Sequence, residues 1–313
     1  MALRSTSIIL AVLACLHCPC VLAQSSKPPI TLDEYLNTTW IAAAKLSPDG
    51  AAAVISTETP DWKNSNYRHD LWLWTAGAGL RSLTHSGTEE TPEWSPDGKW
   101  IAFLSDRSLP GDDTDDEGQS ASSDDKTSRV WLIPVTGGEA LPLYTEKLEA
   151  HSYAWSADSA SIYFSVTTPL SPEQQDAQKE QWKDVIRWRE QDRGDLLLKL
   201  NVAAAVDRAL STPPPAKPSD QNRGKKKEKE KEKPAELPPA VETIARSALS
   251  IGEVVPSPNG KAIAFMTEPV HKRMETPQSY EIFLAGSAGG AVRQITHNDA
   301  VESSLRWSPD GHW

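Results

Sequence analysis

The stretch Trp94-Ser95-Pro96-Asp97-Gly98 recurs unchanged at Trp307-Ser308-Pro309-Asp310-Gly311. Looser copies stand at Leu46-Ser47-Pro48-Asp49-Gly50, Trp155-Ser156-Ala157-Asp158-Ser159 and Pro256-Ser257-Pro258-Asn259-Gly260. Each copy has the chemistry of a tight turn. Proline presets φ at the second position, Asp or Asn bonds back to the local backbone, and glycine accepts the exit conformation. Short apolar runs follow the turns, at Trp100–Leu104, Ser161–Phe164 and Ala262–Phe265. One such turn would say little, but several with the same flanks announce a repeat architecture.

Aligning the copies extends the repeat upstream. Asp70-Leu71-Trp72-Leu73-Trp74, Val130-Trp131-Leu132-Ile133 and Glu281-Ile282-Phe283-Leu284 are each followed by a glycine-containing break and a further short apolar run. The aromatics Trp72, Trp131 and Phe283 precede the next motif tryptophan by 22, 24 and 24 residues. Each unit therefore holds four short strands. A four-stranded sheet alone leaves both faces open, and stacking such sheets around an axis buries them. The predicted fold is all-β: a β-propeller of four-stranded blades, with about four units and the start of a fifth. A β-sandwich would also alternate strands and turns, but its strands are not self-similar in this way.

The motif starts lie 48, 61, 101 and 51 residues apart, so some blades carry insertions. These are expected at 108–128 (acidic and serine-rich), 166–195, and 211–240 (Pro-rich, then a Lys/Glu tract at Lys225–Lys233). Within the second, Ser171-Pro172-Glu173-Gln174 has an N-cap serine, proline at the first helical position and a capping-box glutamine, so a short helix is expected to start there. Asp195–Leu200 is expected to be a blade strand. Nearer the start, Thr31-Leu32-Asp33-Glu34 predicts a short capped helix.

Arg4, the apolar run Ile8–Leu16 and the small residues around Val21-Leu22-Ala23 predict a secretory leader at 1–23, followed by a linker and short helix at 24–45 and the propeller at 46–313. Secretion or a periplasmic location follows from that leader. Val12-Leu13-Ala14-Cys15 also allows a lipoprotein signal, although the apolar run before Cys15 is short for one. All three cysteines, Cys15, Cys18 and Cys20, fall inside the leader. Cleavage near Ala23 would leave no disulfide, thiolate metal site or cysteine nucleophile. The net charge of −11 argues against nucleic acid as a partner, and no stretch has the length and apolarity of a membrane span.

Thr31-Leu32-Asp33-Glu34-Tyr35-Leu36, the early Leu46-Ser47-Pro48-Asp49-Gly50 and Trp94-Ser95-Pro96-Asp97-Gly98-Lys99-Trp100-Ile101-Ala102-Phe103-Leu104-Ser105-Asp106-Arg107 together resemble the start of a prolyl oligopeptidase-family serine peptidase. The branch it most resembles is that of acylaminoacyl-peptidases and dipeptidyl-peptidase-like enzymes. The resemblance spans about Ile30 to Trp313. It implies a propeller that gates peptide access to an α/β-hydrolase domain, with peptides as substrates and no cofactor. TolB-type periplasmic propellers, which bind protein partners, carry similar turns and are the alternative. They would place a small α/β domain before the propeller, whereas here the first turn comes at Leu46.

No Gly-x-Ser-x-Gly nucleophile elbow occurs in the sequence, and the hydrolase domain is expected to be missing from it. Ala285-Gly286-Ser287-Ala288-Gly289 comes nearest, but it lies between two predicted strands and reads as a hairpin loop. His85 and His297 occupy the same repeat position and read as turn residues. No triad can be assembled, so the chain is expected to be non-catalytic by itself. The resemblance points to Trp188, Glu190 and Asp192, in the second insertion, for substrate contact, where an acidic group would hold a free peptide N-terminus. The adjacent Glu-Glu pair expected of that device is absent from the insertion, and Trp182 and Trp188 also suit blade packing. In the first insertion Asp113, Asp115, Glu117 and Asp124 approximate a calcium-loop spacing. They lack its bidentate glutamate and flanking helices, so a solvated acidic loop is the expectation and no metal is assigned.

Overall fold

A computed structural model of the chain describes residues 29–109, 127–182, 193–211, 236–269, 279–297 and 299–313. Two compact units are present, Met1–Thr38 and Thr39–Trp313. The described part of the first contains helix α1 (Leu32–Leu36). Its capping box forms as predicted: the Glu34 amide donates to Thr31 Oγ1 (3.2 Å) while Glu34 Oε2 accepts from the Thr31 amide (2.8 Å).

The second unit consists of four antiparallel sheets, each a meander of four consecutive strands. Blade 1 comprises β1 (Trp40–Leu46), β2 (Ala52–Asp61), β3 (Asn66–Thr75) and β4 (Gly79–Ser82). Blade 2 comprises β5 (Glu90–Trp94), β6 (Trp100–Ser105), β7 (Arg129–Pro134) and β8 (Leu141–Pro142). Blade 3 contains β9 (Ala150–Trp155), β10 (Ser161–Thr167), β11 (Asp195–Asn201) and β12 (Glu242–Arg246). Blade 4 contains β13 (Ser250–Pro256), β14 (Ala262–Glu268), β15 (Ile282–Gly286) and β16 (Arg293–Gln294). Helices α2 (Pro172–Trp182) and α3 (Val202–Ser211) flank β11 in the chain. The fold is all-β, with propeller-type four-stranded blades.

Period-2 alternation explains how the blades stack, because successive side chains of a strand serve opposite faces. In blade 2, Ile101, Phe103, Trp131 and Ile133 join Val54, Leu71 and Leu73 of blade 1 in one core. The intervening Ala102, Leu104, Val130 and Leu132 join Phe164, Leu196 and Leu198 of blade 3 in a second. Tyr144 stacks on Phe164 there, ring centroids 5.1 Å apart. A third core joins Tyr163 and Leu197 of blade 3 to Ile251, Ile263 and Phe265 of blade 4. Strands β6, β7, β10 and β11 are accordingly buried on both faces, while β2 alternates between buried and half-buried residues. The outward face of blade 1 leaves Trp74 and Leu80 exposed.

The recurrent motif folds the same way at all five copies. In the Trp94 copy, Ser95 Oγ donates to Asp97 Oδ1 (2.6 Å) and accepts from the Trp100 amide (3.0 Å), while the Gly98 amide closes on the Ser95 carbonyl (2.9 Å). Ser47, Ser156, Ser257 and Ser308 repeat the hydroxyl pattern with Asp49, Asp158, Asn259 and Asp310. The exit residue has φ near +70° at Gly50, Gly98, Gly260 and Gly311. Ser159 adopts φ +61° at the third copy, a left-handed position that only glycine takes without strain.

The motif tryptophan does something else: it ties one blade to the one before. Trp94 Nε1 donates to the Lys45 carbonyl (3.0 Å), Trp155 Nε1 to Glu93 (3.4 Å) and Trp307 Nε1 to Val255 (2.8 Å). Each acceptor immediately precedes the first motif position of the previous blade. The turns therefore gather at one end of the stack, and the Asp97 amide donates to Ser159 Oγ (2.9 Å) across it.

Candidate functional site

With the motif turns at one end, antiparallel pairing sends every second-to-third strand connection to the opposite end. Three long connections leave from there, after Ser105, Thr167 and Glu268. Two include expected insertions, and the opposite end is where the structure gathers polar chemistry that does not repeat from blade to blade.

Between blades 1 and 2 this end has a cleft of about 230 Å³ lined by Tyr67, His69, Thr88, Glu90 and Ser128, among others. His69 Nε2 stands 3.9 Å from Glu90 Oε1. Beneath it Glu89 is fully buried. Its carboxylate accepts from Ser86 Oγ and the amides of Gly87 (3.2 Å) and Thr88 (3.3 Å), with Arg107 Nη1 at 3.9 Å. Arg107 in turn lies over the Trp131 ring, 5.1 Å from its centroid. A buried carboxylate so thoroughly paired holds the turn at Ser86–Thr88 beside the cleft. The sequence did not mark Glu89 as a site residue; it meets Arg107 because the pairing of β5 with β6 brings the two ends of that hairpin together.

Blade 3 supplies the base of the second insertion. The Thr168 amide donates to the Gly194 carbonyl (3.0 Å), and Arg193 Nη1 donates to the Thr168 carbonyl (3.3 Å). Asp195, almost wholly buried, accepts from Ser250 Oγ (2.9 Å) and the Ile251 amide (2.8 Å), so it clamps blade 3 to the first strand of blade 4. His151 Nε2 lies 2.8 Å from Thr167 Oγ1 and 3.8 Å from Asp195 Oδ1. One ring nitrogen faces both groups. Relay of a proton from hydroxyl to carboxylate-held histidine requires the two opposite nitrogens, so this trio orients the ring without activating Thr167.

Helix α2 begins as expected: the Ser171 amide donates to Gln174 Oε1 (2.9 Å) and the Gln174 amide to Ser171 Oγ (3.2 Å). Trp188, Glu190 and Asp192 lie outside the described residues, as do Asp113, Asp115, Glu117 and Asp124 and the leader. His85 and His297 are exposed. What their repeat position shares is the preceding threonine: Thr84 Oγ1 accepts the Leu71 amide (3.0 Å) and Thr296 Oγ1 the Ile282 amide (2.9 Å). Ser287 sits in the turn between β15 and β16, with the Gly289 amide closing on the Gly286 carbonyl (2.9 Å), a hairpin as expected. Among the described residues, no group of three or more His, Cys, Asp or Glu side chains is disposed to hold a metal ion. Among them, too, no helix is long and apolar enough to cross a membrane.

The sequence reading did not anticipate helix α3. Its signal was present: Asn201 precedes Val202-Ala203-Ala204-Ala205 and accepts the Ala204 amide (3.0 Å) as an N-cap.

No family model matches the chain. Its relatives by sequence are peptidases. It is 28% identical over 143 residues to the uncharacterized peptidase YuxL of Bacillus subtilis, covering 45% of this chain and 19% of that protein. It is 32% identical over 78 residues to dipeptidyl-peptidase 5 of Porphyromonas gingivalis, covering 24% and 11% respectively. The matches thus span less than a fifth of these relatives' length. Among solved structures, a protein assigned as TolB from Agrobacterium tumefaciens superposes with a TM-score of 0.48 at 17% identity, over 87% of this chain and 73% of that one. Pyrococcus horikoshii acylaminoacyl peptidase superposes with 0.48 at 10%, over 84% and 33%.

Proposed function

We propose that this chain is propeller sequence of a secreted serine peptidase of the prolyl oligopeptidase family, and that its blades restrict an α/β-hydrolase domain to short peptides. The observation that carries this reading is the sequence match to two peptidases. The architecture agrees with it: one blade end carries the motif turns and the connection through α3, while the other carries the connections after Ser105, Thr167 and Glu268 and the polar groups around His69, Glu90, His151 and Asp195. In this reading the second end meets the peptide, and Glu190 or Asp192 holds its free N-terminus. The leader directs the protein out of the cytoplasm, and N-terminal sequencing of the exported protein is expected to begin at Gln24.

The reading frame after codon 313 tests the proposal. It is expected to encode Gly-x-Ser-x-Gly followed by Asp and His, and the product of the whole frame is expected to react with a fluorophosphonate probe at that serine. Cleavage of aminoacyl or acyl-aminoacyl chromogenic peptides, with longer peptides refused, is expected of the same protein. A stop at that point with no hydrolase sequence beyond it would overturn the peptidase reading and leave a TolB-like, partner-binding propeller.

A further inference from the structure

The motif tryptophan that stitches adjacent blades is missing from one seam. Blades 2 and 3 carry Trp94 and Trp155, and Trp307 follows blade 4, but blade 4 itself has Pro256 at this position. Trp94 shares a core with Ala52 and Val54, five and seven residues past the motif serine of blade 1. Trp155 packs likewise with Trp100 and Ala102 of blade 2. The corresponding residues of blade 3 are Ser161 and Tyr163, and among the described residues no indole joins the core around Tyr163. A cleft of about 450 Å³ opens there, lined by Ser161, Tyr163, Lys199, Pro256, Asn259 and Ser287, among others. That volume falls within the range of small-molecule sites.

We propose that this cleft binds an indole ring presented by another molecule. The argument is one of repeated geometry. Lys45, Glu93 and Val255, each one residue before the first motif position, have carbonyls that accept an indole N–H. Ala154 holds the same place in blade 3, and Pro256, which has no aromatic ring or N–H, cannot supply that donor. An incoming indole packs on the Tyr163 ring and donates to the Ala154 carbonyl, repeating the contact that the chain makes for itself at the other seams. Lys199 Nζ, 6.0 Å from the Tyr163 ring centroid and 3.6 Å from Glu242 Oε2, marks a polar rim where an amide or carboxylate beside the indole is received. The ring comes either from a tryptophan within a peptide or from a small free indole. The inference concerns the blade 3–blade 4 seam alone and does not depend on the peptidase reading.

Calorimetric titration of the full chain with indole, 1-methylindole, N-acetyl-L-tryptophanamide and N-acetyl-L-leucinamide tests this. Saturable binding of indole is expected, with 1-methylindole weaker by about tenfold, the loss of one buried hydrogen bond. A preference of about tenfold for N-acetyl-L-tryptophanamide over indole assigns the site to peptide tryptophan, and equal affinity assigns it to small indoles. Pro256→Trp restores the motif residue and is expected to abolish binding while raising Tm by about 3 °C. Ala262→Met, which narrows the cleft from a strand position, is expected to weaken binding about tenfold in a chain whose fold is otherwise retained. The proposal is overturned if no indole binds saturably, if 1-methylindole or the leucine amide binds as well as indole, or if folded Pro256→Trp or Ala262→Met protein binds unchanged.

Discussion

Replacing Trp94 by alanine tests whether the motif tryptophan is the coupling between blades. The side chain is only 8% exposed, in the core shared by blades 1 and 2. Burying an indole removes roughly 200 Å² from water, worth at most about 5 kcal/mol at about 25 cal/mol per Å². Partial relaxation around the gap brings the expected cost of Trp94→Ala to about 4 kcal/mol. Trp94→Phe keeps most of the ring but loses the 3.0 Å bond to the Lys45 carbonyl, so about 2 kcal/mol is expected. Trp307 is half-buried and lies outside any described strand, so Trp307→Ala is expected to cost only about 1–2 kcal/mol despite its 2.8 Å bond to Val255. In urea, Trp94→Ala is expected to lower the midpoint by about 1.5 M. Because a blade contacts only its neighbours, hydrogen exchange should accelerate first in β2 and β3 while β10 and β11 keep their protection. Equal losses for Trp94→Ala and Trp307→Ala, or exchange that accelerates uniformly, would refute the coupling role.

Acid should loosen the motif turns together. The hydroxyls of Ser47, Ser156 and Ser308, with nearby amides, hold the carboxyls of Asp49, Asp158 and Asp310 below the usual 3.8. At Asp97 modest burial opposes ionisation, but Ser95 and Lys99 outweigh it. Folded values below unfolded ones mean a contribution present above about pH 4 and lost as pH falls through the folded values. Urea midpoints of Asp97→Asn should therefore fall less between pH 5 and pH 3 than those of the parent, Asn259 showing that the amide suits the turn. Gly194→Ala should cut soluble yield sharply, since a Cβ there would collide with the Ser247 carbonyl oxygen and the Ala248 backbone. Ser159→Gly should change Tm little, because relief of about 1 kcal/mol of left-handed strain offsets the lost Asp97 amide bond, whereas Ser159→Ala, which keeps the strain, should lower it. Asp195→Ala should cost about 3 kcal/mol by stranding the Ile251 amide and Ser250 hydroxyl, and exchange should accelerate in β13 before β9.

What was legible in the sequence is what the chain decides within a few residues. The Ser–Asp turn closes over six positions, the Thr31 and Ser171 caps over four, and both the turn and the caps form as their residues predict. Blade stacking was legible too, because a period-2 strand declares two faces without naming the partner. The polar groups of the opposite end were not. Asp195 reaches Ser250 and Ile251 across a separation that no local pattern encodes, and Glu89 meets Arg107 only once β5 and β6 have paired. The Asn201 cap is local too, closing over four positions, and the helix it starts was not anticipated. The acidic residues marked by calcium-loop spacing, Asp113, Asp115, Glu117 and Asp124, fall outside the described residues, as do Glu190 and Asp192, to which the resemblance points.

The tryptophan missing at Pro256 also explains where the third seam gets its strength. Seams with an indole are stitched at the turn end, through Lys45 and Glu93. The blade 3–blade 4 seam is stitched at the other end. There Ser165 Oγ donates to the Ile251 carbonyl (2.9 Å), and Asp195 accepts the Ile251 amide and the Ser250 hydroxyl. Both backbone groups of Ile251 are thus held by blade 3 side chains, one of which stands directly beside Gly194 at the base of the second insertion. These bonds are made in low dielectric, where misalignment is costly. Of the three seams between described blades, this is the one stitched through Asp195, next to Gly194, and its turn end is left open as a cleft.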